Sequence, residues 1–289
     1  MSIENLSLEE DEASELAEDL KRELNLGVVP ASDKKRIQLI IAGLGDSRGL
    51  VRRTFIESLG VIGKPALPLL QKALIKHPNV TVRRAAAKAL KLVADPIALP
   101  DLLEALINDS DPVVQGSSVS AIAMLGEPAV THLLKVLINP NSSAMQCGLS
   151  AWGLSLIGAE AAKALRDAAQ SKNAVIKAAA ISALRQQIQA GDEKAKALVT
   201  NALDDKVIEV RIEATCLLGM LDDSEWAKSL LINKLSDISN DVRKKAAISL
   251  MKLRAIEALD IIKKRYSIEK DLEVIDILKL VINQLSEKS

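Results

Sequence analysis

Eight times along this chain a short pattern returns at nearly constant spacing. LVRRTFIESLGVIG begins at Leu50, TVRRAAAKALKLVA at Thr81 and DVRKKAAISLMKLR at Asp241, and EVRIEATCLLGMLD from Glu209 follows the same pattern. The apolar residue ahead of the polar one marks the register at Val51, Val82, Val114, Met145, Ile176, Val210, Val242 and Val274, with gaps of 31, 32, 31, 31, 34, 32 and 32 residues. A fixed period of this length signals a repeat array whose units each form one supersecondary element, unable to bury its apolar face alone.

Within a unit, apolar residues at helical spacing (Val82, Ala86, Ala89, Leu90, Val93) predict a first helix. A break follows at Gly63-Lys64-Pro65, Asp95-Pro96 or Gly126-Glu127-Pro128, and proline suits the first turn of the next helix because its missing N–H loses no bond there. Second helices then run ALPLLQKAL, ALPDLLEAL, AVTHLLKVL and AAKALRDAA. Asp46, Asn79, Asp111, Asn173, Asp205 and Asp241 stand where they can cap the first helices. The gap of 34 falls near Ala190-Gly191-Asp192, a longer turn. The expected fold is all-α, a right-handed α-solenoid of seven to eight helix pairs over residues 34–289, with a capping helix from Val274 to Leu285. Residues 1–33 form an acidic lead-in, either an amphipathic helix on Leu6, Leu8, Leu16 and Leu20 or a solvated tail.

Composition agrees and excludes several functions. The chain has only Phe55, Trp152, Trp226 and Tyr266 as aromatics, so its cores are built from Ala, Leu, Ile and Val, which suits closely spaced helices. Lys plus Arg and Asp plus Glu balance at 38 each, leaving no general pull toward nucleic acid or anionic membrane. The late basic residues, Arg243 to Arg265, are interleaved with Asp237, Asp241, Glu257 and Asp260. Cys147 and Cys216 are too few for a disulfide scaffold; with no secretory leader and no long apolar run, the expectation is a cytoplasmic protein. His77 and His132 are the only histidines and no metal-ligand spacing occurs, so no metal site is expected. No phosphate-binding loop or nucleophile elbow is found.

The D-x-x-V-R-x-x-A-A-x-A-L core resembles the HEAT-repeat superfamily over almost the whole chain. The turns DPVVQ and GEPAV are similar to those of the phycobilin-lyase HEAT-like group, which includes the E/F-type lyases. That resemblance implies a phycobilin lyase or bilin-handling chaperone, with the bilin as substrate and no permanently bound cofactor. It implies a phycobiliprotein subunit as partner, and a second HEAT-repeat protein as a further one. The adjacent His-Cys pair of isomerising bilin lyases is missing, which argues against bilin isomerisation. The alternative is a non-catalytic HEAT scaffold that binds a protein partner in phycobilisome assembly or turnover.

Candidate site residues come from where the repeats stop resembling each other. After the marks stand Arg52, Arg83, Gln115, Gln146, Lys177, Arg211 and Arg243, so the cation that pairs with a neighbouring acid in HEAT-like arrays is lost in the third and fourth units. From Pro112 to Ala159 only Glu127 and Lys135 are charged. Seven residues past the fourth mark Trp152 replaces a small residue; a shift of one residue would align Gly158 with Gly126 and turn Trp152 outward, and sequence leaves both registers open. In the aligned second helices Lys72, Glu104, Lys135 and Asp167 stack in one column with alternating signs, which also reads as an ion-pair ladder, and His132 falls in a neighbouring column facing the groove. Joined to the resemblance, this makes Lys135 and Arg166 the contacts for bilin propionates, Asp167 the acid facing the pyrrole nitrogens and Trp152 a ring-packing surface, with His132 on the binding wall.

Overall fold

The computed structural model describes residues 8–222 and 225–286, in which helices alternate with short turns and no strand occurs among the described residues. Leu6 of the lead-in and Glu287–Lys288 of the C-terminal cap lie outside them. In chain order the helices are α1 (Glu10–Asn25), α2 (Lys34–Gly43), α3 (Gly49–Ile62), α4 (Leu67–Lys76), α5 (Val80–Val93), α6 (Leu99–Asn108), α7 (Pro112–Ala123), α8 (Glu127–Ile138) and α9 (Ala144–Ile157). There follow α10 (Ala162–Ala168), α11 (Ala174–Ser182), α12 (Arg185–Gln189), α13 (Glu193–Ala202), α14 (Ile208–Leu218), α15 (Glu225–Lys234), α16 (Asn240–Lys252), α17 (Leu259–Ile268) and α18 (Leu272–Ser286). The protein is thus an all-α solenoid of HEAT-like helix pairs.

The helices divide into two compact units, the first ending at Ile157 and the second beginning at Gly158. In the first, α3, α5, α7 and α9 pack side by side as one layer, while α2, α4 and α6 pack in sequence as another. In the second, α11, α14, α16 and α18 form one layer, and α10, α13, α15 and α17 each pack on one or two of its members. The lead-in is helical: Glu9 and Glu12 make a reciprocal capping box, and α1 buries Ala13, Ala17 and Leu20 on the face that meets α3.

Seven of the eight marks face inward, five of them fully, and one needs correction. Val82, Val114, Val210, Val242 and Val274 are buried, while Val51 in the terminal repeat and Ile176 are half-buried. Met145 is 53% exposed, and Gln146 takes its place, 8% exposed. The cause is the cap. Ser143 Oγ accepts from the Gln146 N–H at 3.2 Å and Gln146 Oε1 accepts from the Ser143 N–H at 2.7 Å. Ser143 thus stands three residues ahead of Gln146, as the capping Asp111 stands ahead of Val114. The left-handed turn confirms the shift: Gly158 (φ +50°) lies twelve residues past Gln146, as Gly126 (φ +67°) lies past Val114. The fourth mark is therefore residue 146, and the gaps around it are 32 and 30 residues.

Asn79, Asp111 and Asn173 cap their helices through the side chain, as expected. Asp46 and Asp205 brace the preceding turn instead, accepting from the N–H two residues on, and Asp241 lies inside the first turn of α16. The longer turn ends on Asp192, which caps α13 by accepting from the Lys194 and Ala195 N–H groups.

Candidate functional site

The residue after each mark builds a ladder between successive turns. Arg83 donates to Asp109 in the next turn at 2.7 and 3.1 Å and to the His77 carbonyl in its own turn at 3.1 Å. Arg211 repeats this with Asp237 and the Asp205 carbonyl, and Arg243 with Glu269 and the Asp237 carbonyl, while Lys177 reaches Asp205 at 2.9 Å. Burial pushes the Glu269 carboxyl up, but bonds from Arg243 and Arg265 outweigh it and hold the group well below the ordinary range.

The ladder changes in the third and fourth repeats. Gln115 donates to the Asp109 carbonyl at 2.8 Å, keeping the bond to its own turn without the charge. With the register corrected, the fourth member of the series is Cys147 in place of Gln146, and its thiol lies 4.0 Å from the Leu137 carbonyl. Gln146 turns inward and donates to the Ile107 carbonyl at 2.7 Å.

The same shift settles Trp152. Gly153 occupies the small-residue position: a Cβ there would stand 2.7 Å from Val119 Cγ1 and 3.0 Å from Leu133 Cδ1, so α9 approaches α7 and α8 only because the side chain is absent. Trp152 points outward and is 44% exposed. Met145, Gly148, Trp152 and Leu156 share the outer face of α9, and Val113, Gly116 and Ser120 on α7, with Met124 at its C-cap, hold the same positions. Above Gly148 there is open space, and Leu149 lies 3.7 Å from where a Gly116 Cβ would be. The result is an uncharged outer face on two adjoining helices of the first unit, shallow over the glycines and walled by an indole. Exposed apolar clusters of this kind mark interaction surfaces.

The second-layer candidates separate by unit. On α8 of the first unit, His132 is half-buried and Lys135 is exposed without an ion pair to any described residue. In the second unit Arg166 and Asp167 line one groove between α10 and α13, of about 530 Å³, together with Lys163, Gln170, Lys194 and Asn201. Arg166 pairs with Asp192, the cap of α13. Asp167 pairs with Lys163 one turn back in its own helix at 2.7 Å, so its ion pair is local to α10. Lys194 makes no ion pair with any described residue. Sequence reasoning missed Lys163 and Lys194. Aligning the AKAL shared by the two second helices sets Lys194 opposite Ala161, five residues ahead of Arg166, so the column alignment carried no signal for it.

Chemically the groove offers three cations, two amides and one carboxylate at the solvent boundary. Arg166 is oriented by Asp192, and Lys194 is free to engage a ligand carboxylate. No helix among the described residues is long and apolar enough to cross a membrane.

A family model for HEAT repeats matches residues 37–123 and 67–146. The chain is 46% identical over 280 residues to "Bilin biosynthesis protein MpeU" of Synechococcus sp. (strain WH8020), covering 96% of this chain and 94% of that protein. Among solved structures, yeast importin-beta (Kap95p) aligns at 13% identity and TM-score 0.51 over 89% of this chain and 41% of that one, a likeness of fold alone. The complex of CpcE and CpcF of phycocyanin lyase from Nostoc sp. PCC7120 aligns at 21% identity and TM-score 0.33, over 64% of this chain and 99% of that one. With the repeat architecture in hand, and near-complete coverage at 46% identity, the chain belongs to the HEAT-repeat family of the Synechococcus bilin biosynthesis protein.

Proposed function

We propose that this protein is a bilin lyase: it presents a linear tetrapyrrole to a cysteine of a phycobiliprotein subunit. In the reaction the subunit's thiolate adds to an unsaturated bilin side chain, one C–S bond forms, a proton goes to the neighbouring carbon and nothing leaves. No covalent residue of the lyase is needed. Its task is to hold two reactants in reacting geometry, which itself removes a large part of a bimolecular barrier.

The observation that carries this reading is the cationic groove between α10 and α13 in a chain of this family. Arg166 and Lys194 receive a bilin propionate, the planar guanidinium giving the directional contact and the ammonium a mobile point charge. Asp167 offers its carboxylate to pyrrole N–H groups. In the first unit, Trp152 with His132 and Lys135 are the residues we assign to contacts with the partner protein or the bilin rings. The test is a titration of free bilin into the purified protein, followed by visible absorbance. Lys194→Glu is expected to weaken binding about tenfold, the loss of one charge-assisted bond, with an unchanged thermal melt. Wild-type affinity in both Lys194→Glu and Arg166→Gln would remove the groove from the account.

One observation favours a second reading, that of a non-catalytic scaffold: the uncharged face of α7 and α9 is the kind of surface a protein partner covers. Co-expression with phycobiliprotein subunits and a bilin pathway separates the two. A lyase raises covalent chromophore above the level reached without it; a scaffold binds the subunit and leaves that level unchanged.

A further inference from the structure

A second cationic cavity, of about 450 Å³, opens in the first unit between α3 and α5. Ser47, Arg52, Thr81, Arg84 and Lys88 supply its polar lining, and no carboxylate is among its lining residues. Each other arginine of the ladder has an acid ahead of it: Arg83 has Asp109, Arg211 has Asp237 and Arg243 has Glu269. For Arg52 the corresponding position is His77. Like Asp109 it braces its own turn, its Nδ1 accepting from the Asn79 N–H at 3.1 Å as Asp109 Oδ1 accepts from the Asp111 N–H at 2.8 Å. As an imidazole it gives Arg52 no carboxylate.

Arg52 therefore donates only to main-chain oxygens, those of Asp46 and Ser47, and makes no ion pair with any described residue. Lys88 is exposed and equally without one. The nearby acids are engaged elsewhere, Asp46 by Arg48 at 2.7 Å and Asp111 by Arg84 at 2.5 Å. The cavity thus gathers two cations with unmet capacity, a third already oriented by its own carboxylate, and two hydroxyl donors. Thr81 lies in the first turn of α5, where the helix dipole adds to the attraction for negative charge. We propose that this cavity is a binding site for a compact oxyanion, a carboxylate or phosphate group, held by Arg52 and Lys88 because the acid of this rung is absent.

The test uses the purified full-length chain at low ionic strength, titrated calorimetrically with inorganic phosphate and separately with a tetraglutamate peptide. Saturable binding of at least one probe is expected. Arg52→Gln and Lys88→Gln should each weaken it about tenfold, while Lys172→Gln, an exposed cation of the second unit, leaves it unchanged. His77→Asp restores the missing acid in a position that aspartate fills in sibling repeats. It should keep the melt and weaken binding as Arg52→Gln does. Tighter phosphate assigns the site to a free anion, and tighter peptide to acidic side chains of a protein. The proposal is overturned if neither probe saturates, if Arg52→Gln and Lys88→Gln bind as the wild type does, or if Lys172→Gln loses as much as they do. Should His77→Asp fail to fold, the two glutamine variants still decide the matter.

Discussion

In the second repeat, α5 carries Arg83 and Arg84, each with two bonds to an aspartate in the turn ahead; in the fourth, α9 carries Cys147 and Gly148 at those positions. The core-facing positions nevertheless match. Ala86, Ala89 and Leu90 of one correspond to Ser150, Gly153 and Leu154 of the other, all buried. Stacking is therefore carried by the small and branched columns of the core, where removal of apolar surface from water is the dominant favourable term. The ion pairs fasten turn to turn and keep the outer layer charged. Where they are dropped, the helices still stack, and a face is left that water does not favour.

The largest effect should come from breaking the ladder. Arg83→Ala leaves Asp109, only 8% exposed in its side chain, without its cation, and should cost about 3 kcal/mol in urea melts. The matching change in the fourth repeat, Cys147→Ala, removes no comparable pair and should stay within about 0.5 kcal/mol. Equal costs would mean that the ladder does not distinguish the two repeats.

Core crowding comes next. Gly153→Leu drives side-chain atoms into Val119 and Leu133 and should destabilise by about 2 kcal/mol, read from the same melts. Tolerance of leucine there would return Trp152 to the core register.

Two changes should stabilise. Ser150 is fully buried and its hydroxyl has no hydrogen-bond partner among the described residues, so Ser150→Ala, matching Ala86, should gain about 1 kcal/mol. Gly148→Ala, into open space on a helix, should gain about 0.5–1 kcal/mol through helix propensity and reduced chain entropy in the unfolded state. Thermal melts check both.

The smallest effect concerns acid. Arg84 draws the Asp111 carboxyl from its ordinary 3.8 down to about 2 against the opposing effect of burial. A depressed carboxylate contributes stability that is complete above its unfolded value and is lost as pH falls through its folded one. Stability should thus decline between pH 3.8 and about 2, and Arg84→Gln, which brings the folded value back toward 3.8, should shrink that decline. Replacements on the outer face of α9, where no such pair exists, should leave the acid profile alone.

The period, the helix pairs and the small-residue columns were legible because each rests on local chemistry repeated many times. Proline and glycine end a helix wherever they fall, and an Ala or Val column survives the loss of any one member. The fourth repeat was not legible in the same way, because its deviation lies in the cap: a Ser143–Gln146 pair moves the helix by one residue, and the apolar Met145 then reads as the mark although it faces solvent. The candidate groove was half legible. Arg166 and Asp167 were reached by aligning columns, but Lys194 comes from the following repeat beyond the irregular α11–α12 turn, and Asp192, which orients Arg166, reads in sequence only as a helix cap.

The central claim divides the labour: carboxylate capture in the groove of α10 and α13, and partner contact on the uncharged face of α7 and α9. Co-expression with a phycobiliprotein subunit and a bilin pathway, scoring covalent chromophore and subunit pull-down together, tests it most directly. A Lys163→Glu/Lys194→Glu variant is predicted to lose chromophore attachment and keep the subunit, and Trp152→Glu is predicted to lose both. Full attachment in the groove variant, or full subunit binding by Trp152→Glu, would contradict the account.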